Sequence, residues 1–292
     1  MVSILITGSS IFTGKELIRD GYVFIDNGKI KEVGTQPVPD EMSEPSLVLG
    51  GKGRIIAPSL TAIADISTFL IRFFNLKMNK RIELYKMLSK KDLFTLSLPS
   101  IYELNMHGVT TIFAESIDVS YIIDLQDKLG GFFGIAAPSC VNNISVPPSL
   151  SGKIEVKGYG CDGNGISEDS NDYLTLLGKG SYSLSKIDNV YEKSEKIRAI
   201  AGLPPNIIKE NNKAEIIVYD TSRPPAMNYY KGTLDYIKNI YNENAIIESL
   251  LAGEDVLIDI GGHLRIGQKH LKEAESLIEK IVSNEKFQQI LA

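Results

Sequence analysis

Residues Lys52 to Thr68, KGRIIAPSLTAIADIST, constrain this chain more than any other stretch. They form an aliphatic run broken by Pro58 and closed by a single carboxylate, Asp65, held between Ala64 and Ile66. A zinc ion draws its ligands from His nitrogen, Cys sulfur or carboxylate oxygen, so neither Ala64 nor Ile66 can bind one. The remaining ligand types are sparse. There are three histidines, with no His-x-His pair, and two cysteines, Cys140 and Cys161, with no Cys-x-x-Cys spacing. Two unframed cysteines lead us to expect a reduced, cytoplasmic protein.

Flanking blocks give this stretch its context. In Ser3 to Gly34 the apolar run Val23-Phe24-Ile25 and Ile30 bracket Asp26-Asn27-Gly28, and Asn-Gly there predicts a hairpin turn, because both central residues need positive φ. Further on, Lys213-Ala214-Glu215-Ile216-Ile217-Val218-Tyr219-Asp220 runs into Thr221-Ser222-Arg223-Pro224-Pro225, and Ser249 to Gly262 follows. With Glu103-Leu104 and Gly108-Val109-Thr110-Thr111, these blocks resemble the amidohydrolase superfamily, in its chlorohydrolase and deaminase branch. The first barrel strand of that family ends in Pro-Gly, aliphatics and a metal-holding His-x-His. Here Ser59 replaces the Gly, and the histidine positions fall at Ala64 and Ile66 with Asp65 between them. The resemblance implies a TIM-like (β/α) barrel inserted in a composite β-sandwich, a homodimer, and hydrolysis of carbon–nitrogen bonds in a cyclic amide, amidine or heterocycle.

Length limits how much of that architecture fits in 292 residues. Residues 54–205 leave about 150 for a barrel that normally takes about 250, so about five strand-helix units are expected. The expected fold class is α/β plus all-β: residues 1–53 and 206–265 form the sandwich, residues 54–205 a reduced or incomplete barrel, and residues 266–292 a C-terminal amphipathic helix. Within the barrel, the pattern predicts a helix ending at Leu104 to Gly108, a strand over Val109 to Ala114, a helix over Tyr121 to Leu129 and a strand over Phe132 to Ala137. The C-terminal stripe Leu271, Ala274, Leu277, Ile278, Ile281 and Val282, continued by Phe287, Ile290 and Leu291, repeats at helical spacing. It is expected to pack on its own domain, or else at a subunit interface. An open sheet keeps unpaired edges, which the segment Ser139 to Tyr173, the C-terminal helix or a second copy would have to cover; a two-fold homodimer is the expectation.

Charge and hydropathy exclude several partners. The net charge of −5, without a basic stripe, argues against nucleic acid and anionic membranes. The basic stretch Lys77 to Lys91 reads as the solvated face of a helix. No apolar run approaches the roughly 20 residues of a membrane span, and MVSILITG lacks the basic start of a signal peptide. No cofactor is expected.

The candidate catalytic residues are Asp65, Glu115 and Cys140, each placed at a strand's C-terminal end, where barrel sites are built. The histidines read as structural: His107 at a helix end before the capping Gly108, His263 in a hairpin, and His270 opening the last helix. Gly158 to Gly163 matches G-x-G-x-x-G but lacks the apolar helix that a dinucleotide site needs after it. Asp162-Gly163-Asn164-Gly165 fails as a calcium loop, with Ile166 fifth and Tyr173 twelfth.

Three functions remain open: a degenerate homologue without metal-assisted hydrolysis, a hydrolase using Asp65, Glu115 and Cys140 as substitutes, and a small-molecule-binding or partner subunit. Polar groups converging at the strand ends would favour binding, and packed aliphatics from Ile63, Ile66 and Phe69 a filled core.

Overall fold

A computed structural model describes residues 2–66, 78–138, 155–159, 172–176 and 184–291. It opens with β1 (Ser3–Phe12), β2 (Leu17–Asp26) and β3 (Lys29–Thr35). The turn between β2 and β3 is the one the sequence calls for: Asn27 and Gly28 take φ of 47° and 72°, and Asp26 pairs with Lys29 across it. Strand β4 (Leu47–Pro58) then runs parallel to β1.

Beyond Ser59 the chain enters β5 (Leu60–Ala64), α1 (Met78–Met87), α2 (Lys90–Met106), β6 (Val109–Glu115), α3 (Ser120–Leu129) and β7 (Phe132–Pro138). It continues through β8 (Glu155–Tyr159), β9 (Thr175–Leu176) and α4 (Val190–Ile200). The C-terminal part contributes β10 (Glu215–Asp220), α5 (Leu234–Ile237), β11 (Ile246–Ala252), β12 (Asp255–Asp259), β13 (Gly262–His263), α6 (Gln268–Val282) and α7 (Glu285–Leu291).

Two sheets result. An eight-stranded mixed sheet has the order β13-β12-β11-β10-β4-β1-β2-β3, so strands from both ends of the chain meet where β10 pairs with β4. A five-stranded sheet has the order β8-β7-β6-β5-β9, every described pairing in it parallel. All residues of β5 and β6 are buried, as expected of parallel strands covered on both faces. Among the described residues, β8 and β9 are the edges of this sheet.

The handover between sheets falls at Ser59. Residues Arg54 to Pro58 still pair with β10, Asp220 back to Ile216. Then Ser59 N donates to Glu215 O at 2.9 Å and Leu60 N to Gly108 O at 2.8 Å. Asn206 clamps the junction, its Nδ2 donating to Ser59 O at 2.8 Å and to Glu215 O at 3.1 Å. Beside it Arg198 Nη1 donates to Glu215 Oε2 at 2.6 Å and to Thr61 Oγ1 at 3.1 Å. The Asp220 turn locks the far end of β10: Ser222 N and Arg223 Nε both donate to its carboxylate, and Arg54 pairs with it at 2.9 Å.

Helix α2 starts on a capping box, Ser89 Oγ accepting from Asp92 N while Asp92 Oδ2 accepts from Ser89 N. It ends at His107, with Gly108 at φ 83°, as the sequence predicts. The C-terminal helix differs from expectation. It is two helices, α6 and α7, because Ser283 Oγ folds back onto Glu279 O and Asn284 Oδ1 accepts from Lys286 N to start the next turn. Its stripe packs within the chain, with Leu277, Ile278, Ile281, Val282 and Phe287 around Leu96 of α2, and Phe287 and Ile290 against Leu84 of α1. It covers the helical layer.

Candidate functional site

The strand-end residues are assembled by two adjacent parallel strands and one helix. Asp65 directly follows β5 and Glu115 is the last residue of β6, with Ala64 and Ala114 paired beside them. Helix α1 presents Arg81 and Tyr85, four residues apart, to the same place. Tyr85 OH donates to Asp65 Oδ1 at 3.0 Å. Arg81 Nη1 lies 3.4 Å from Glu115 Oε2, the two side chains being 1% and 0% exposed. Burial above all, then Asp65 and Glu115, pushes the Tyr85 phenol well above its ordinary range, while Arg81 pulls it down. Both carboxylates therefore act on one phenol, which stays protonated and donates.

Apolar side chains surround this cluster. Ala64 and Ile66 are fully buried with Ile63, in a core that also holds Leu93, Phe113 and Ile135. Tyr121 of α3 is fully buried as well and bears on the Tyr85 phenol. Polar groups and aliphatics thus meet at the strand ends.

The structure brings Asp65 and Glu115 together, whereas Cys140 and Phe69 lie outside the described residues, as do Gly160 to Gly163. Arg81 is a correction. The stretch from Lys77 to Lys91 is not a wholly solvated face: Lys86, Lys90 and Lys91 are exposed, but Arg81 is turned into the core. Its position was legible, because Arg81, Leu84, Tyr85 and Leu88 recur at i, i+3, i+4 and i+7, which puts the arginine on the apolar stripe.

The histidines serve the scaffold. His263 Nε2 donates to Asn105 Oδ1 at 2.9 Å while Nδ1 accepts from Ile266 N at 3.0 Å, and its ring stacks on Tyr102. Burial lowers its pKa to about 4. His270 Nδ1 accepts from Gly267 N at the start of α6. Two surface clefts lie elsewhere. One of about 520 Å³ is bounded by Gly14, Tyr191, Glu195 and Pro205, and one of about 340 Å³ by Thr7, Ser9, Asp20 and Lys52. Neither is lined by a residue of the strand-end cluster.

No family model and no curated protein matches this sequence. Solved structures do match. A triazine hydrolase from Arthrobacter aurescens superposes with a TM-score of 0.70 at 10% identity, over 95% of this chain and 100% of that one. A zinc-complexed atrazine chlorohydrolase from Arthrobacter aurescens TC1 gives 0.68 at 11% identity, over 94% and 100%. A zinc-bound adenosine deaminase from Xanthomonas campestris gives 0.66 at 9% identity, over 97% and 99%. The chain has the amidohydrolase-type fold that its motifs suggested, with a large mixed sheet and a parallel sheet.

The strand-end residues do not fit the zinc that two of these neighbours hold. Ala64 and Ile66 offer no lone pair, and Glu115 already faces a guanidinium. Among the described residues, no group of three or more His, Cys, Asp or Glu side chains converges as a set of ligands. No helix among them is long and apolar enough to cross a membrane.

Proposed function

We propose that this protein is an amidohydrolase-fold scaffold that has given up metal-assisted hydrolysis, with a shortened (β/α) barrel that starts beyond Ser59, not at residue 54, and runs to about residue 205, inserted in a β-sandwich made from residues 1–58 and 206–265. One observation carries the reading: at the ends of β5 and β6, Ala64 and Ile66 are packed in the core and Asp65 and Glu115 are engaged by Tyr85 and Arg81. Water that no metal activates keeps a pKa near 15.7 instead of about 7, so the hydroxide nucleophile of a metallohydrolase is not generated.

Metal analysis of the purified, dialysed protein tests this reading. No stoichiometric zinc, iron or manganese is expected. The names of the structural neighbours suggest the other reading, a hydrolase acting on carbon–nitrogen bonds. Turnover of a triazine or of adenosine that stops on chelation would establish it and overturn ours. We also propose a two-fold homodimer, because β8 and β9 are edges among the described residues, and an edge strand's backbone groups can be covered by a second copy. A species of 32.1 kDa in sedimentation at micromolar concentration would refute the dimer.

A further inference from the structure

We infer that the Arg81 guanidinium is a built-in cation of the strand-end site: it pairs with Glu115, beside Asp65, and closes that place to a divalent ion. The inference rests on the scaffold reading above. It starts from an electrostatic difficulty. Asp65 is 3% and Glu115 0% exposed, at the ends of neighbouring strands. Burying two carboxylates without compensation is costly enough that they either take up protons or gain a cation.

Helix α1 supplies that cation. Arg81 is 1% exposed and stands 3.4 Å from Glu115, and one turn further along α1 Tyr85 donates to Asp65. Both carboxylates and Arg81 act on the Tyr85 phenol with opposite signs, so the four groups share one small volume. A guanidinium remains charged at any ordinary pH, and its charge depends on no metal supply. A divalent ion entering the same space would sit against this fixed positive charge, and among the described residues of the cluster it would meet carboxylate and phenol oxygens. The sequence thus joins the absence of ligands at Ala64 and Ile66 to a cation delivered from the following helix.

The test uses the full chain and Mn²⁺, an ion suited to carboxylate ligands. Arg81→Met keeps an unbranched apolar stem and removes the charged guanidinium. Its thermal midpoint should fall by about 6–15 °C, the scale for breaking one side of a buried ion pair in a protein of this size. Excess Mn²⁺ should raise the midpoint of Arg81→Met and leave the unmodified protein unchanged. The double variant Arg81→Met, Glu115→Met should recover most of the loss, and Arg81→Lys, which keeps the charge, should lose less than Arg81→Met.

An unchanged midpoint in Arg81→Met would overturn the inference, as would an equal Mn²⁺ shift in the unmodified protein. If Arg81→Met does not fold, the double variant and Arg81→Lys decide: folding of both supports a charge role, and failure of either shows that the packing of Arg81 itself is what matters. Stoichiometric metal in the unmodified protein would refute the scaffold reading. A metal-free protein indifferent to Arg81→Met would leave that reading standing and refute only this inference.

Discussion

The two ends of β5 are each sealed by a buried arginine and a buried glutamate, and they are sealed differently. At the start of the strand, Arg198 reaches Glu215 at 2.6 Å, Thr61 at 3.1 Å and the Pro204 carbonyl at 2.8 Å, while Asn206 clamps the adjoining backbone. At the far end, Arg81 meets Glu115 at 3.4 Å among aliphatics. The first pair joins two sheets and is dense in hydrogen bonds. The second closes the end at which barrel enzymes carry their chemistry. One end of such a strand holds the architecture together, while at the other the described side chains are two carboxylates, a guanidinium and a phenol set among aliphatics.

The contrast can be broken at its stronger side first. Arg198→Met takes a donor from Glu215 and from two other hydrogen-bonding groups at the junction, Thr61 Oγ1 and the Pro204 carbonyl, and should cost about 3–5 kcal/mol in denaturant unfolding. A cost below that of Arg81→Met would reverse the ranking of the two ends. Asn206→Ala leaves the Ser59 and Glu215 carbonyls each short of a donor, and about 2–3 kcal/mol should be lost, read from the same denaturant midpoints.

At the far end, Tyr85→Phe removes the donor to Asp65 with little change in volume. About 1–2 kcal/mol should be lost. No loss would mean that Asp65 does not depend on this phenol.

A pH series separates both ion pairs from the C-terminal hairpin. His263 is held neutral by burial, with its pKa at about 4 against an ordinary 6.5. The unfolded chain therefore takes up this proton first. Its contribution is complete above pH 6.5, declines as pH falls from 6.5 towards about 4, and then levels off. His263→Gln should flatten the thermal midpoint across that window, and an unchanged slope would remove His263 as its cause. The smallest effect is expected from restoring histidines alone. Ala64→His with Ile66→His should not yield stoichiometric zinc binding in calorimetry, because Arg81 still faces Glu115 and, among the described residues, no set of ligands converges there.

Local rules made much of the scaffold legible. Asn27-Gly28 fixed a turn because few other pairs accept two positive φ values. Gly108 ended α2 for the same steric reason. Asp65 and Glu115 could be named as strand-end carboxylates from order along the chain. Arg81 was misplaced because a basic stretch looks solvated when read by composition. Its inward direction follows from the phase of α1, which packs Leu84 and Tyr85 inward beside it. The break between α6 and α7 was missed because the apolar stripe continues across Ser283-Asn284, where side-chain hydrogen bonds end one helix and start another.

By itself, then, the sequence determined which residues cannot bind metal, where the turns and most element ends fall, and which motifs tie the two ends of the chain to one fold. Those properties depend on side-chain chemistry and on neighbours a few residues away. Only the tertiary structure decided that Arg81 meets Glu115, that Tyr85 meets Asp65, and that Arg198, Thr61, Asn206 and Glu215 close the junction. Such partners are 17 to 154 residues apart for Arg198 with Glu215 and Glu215 with Thr61, and buried charge settles on whichever opposite charge the packing of strands and helices brings within reach.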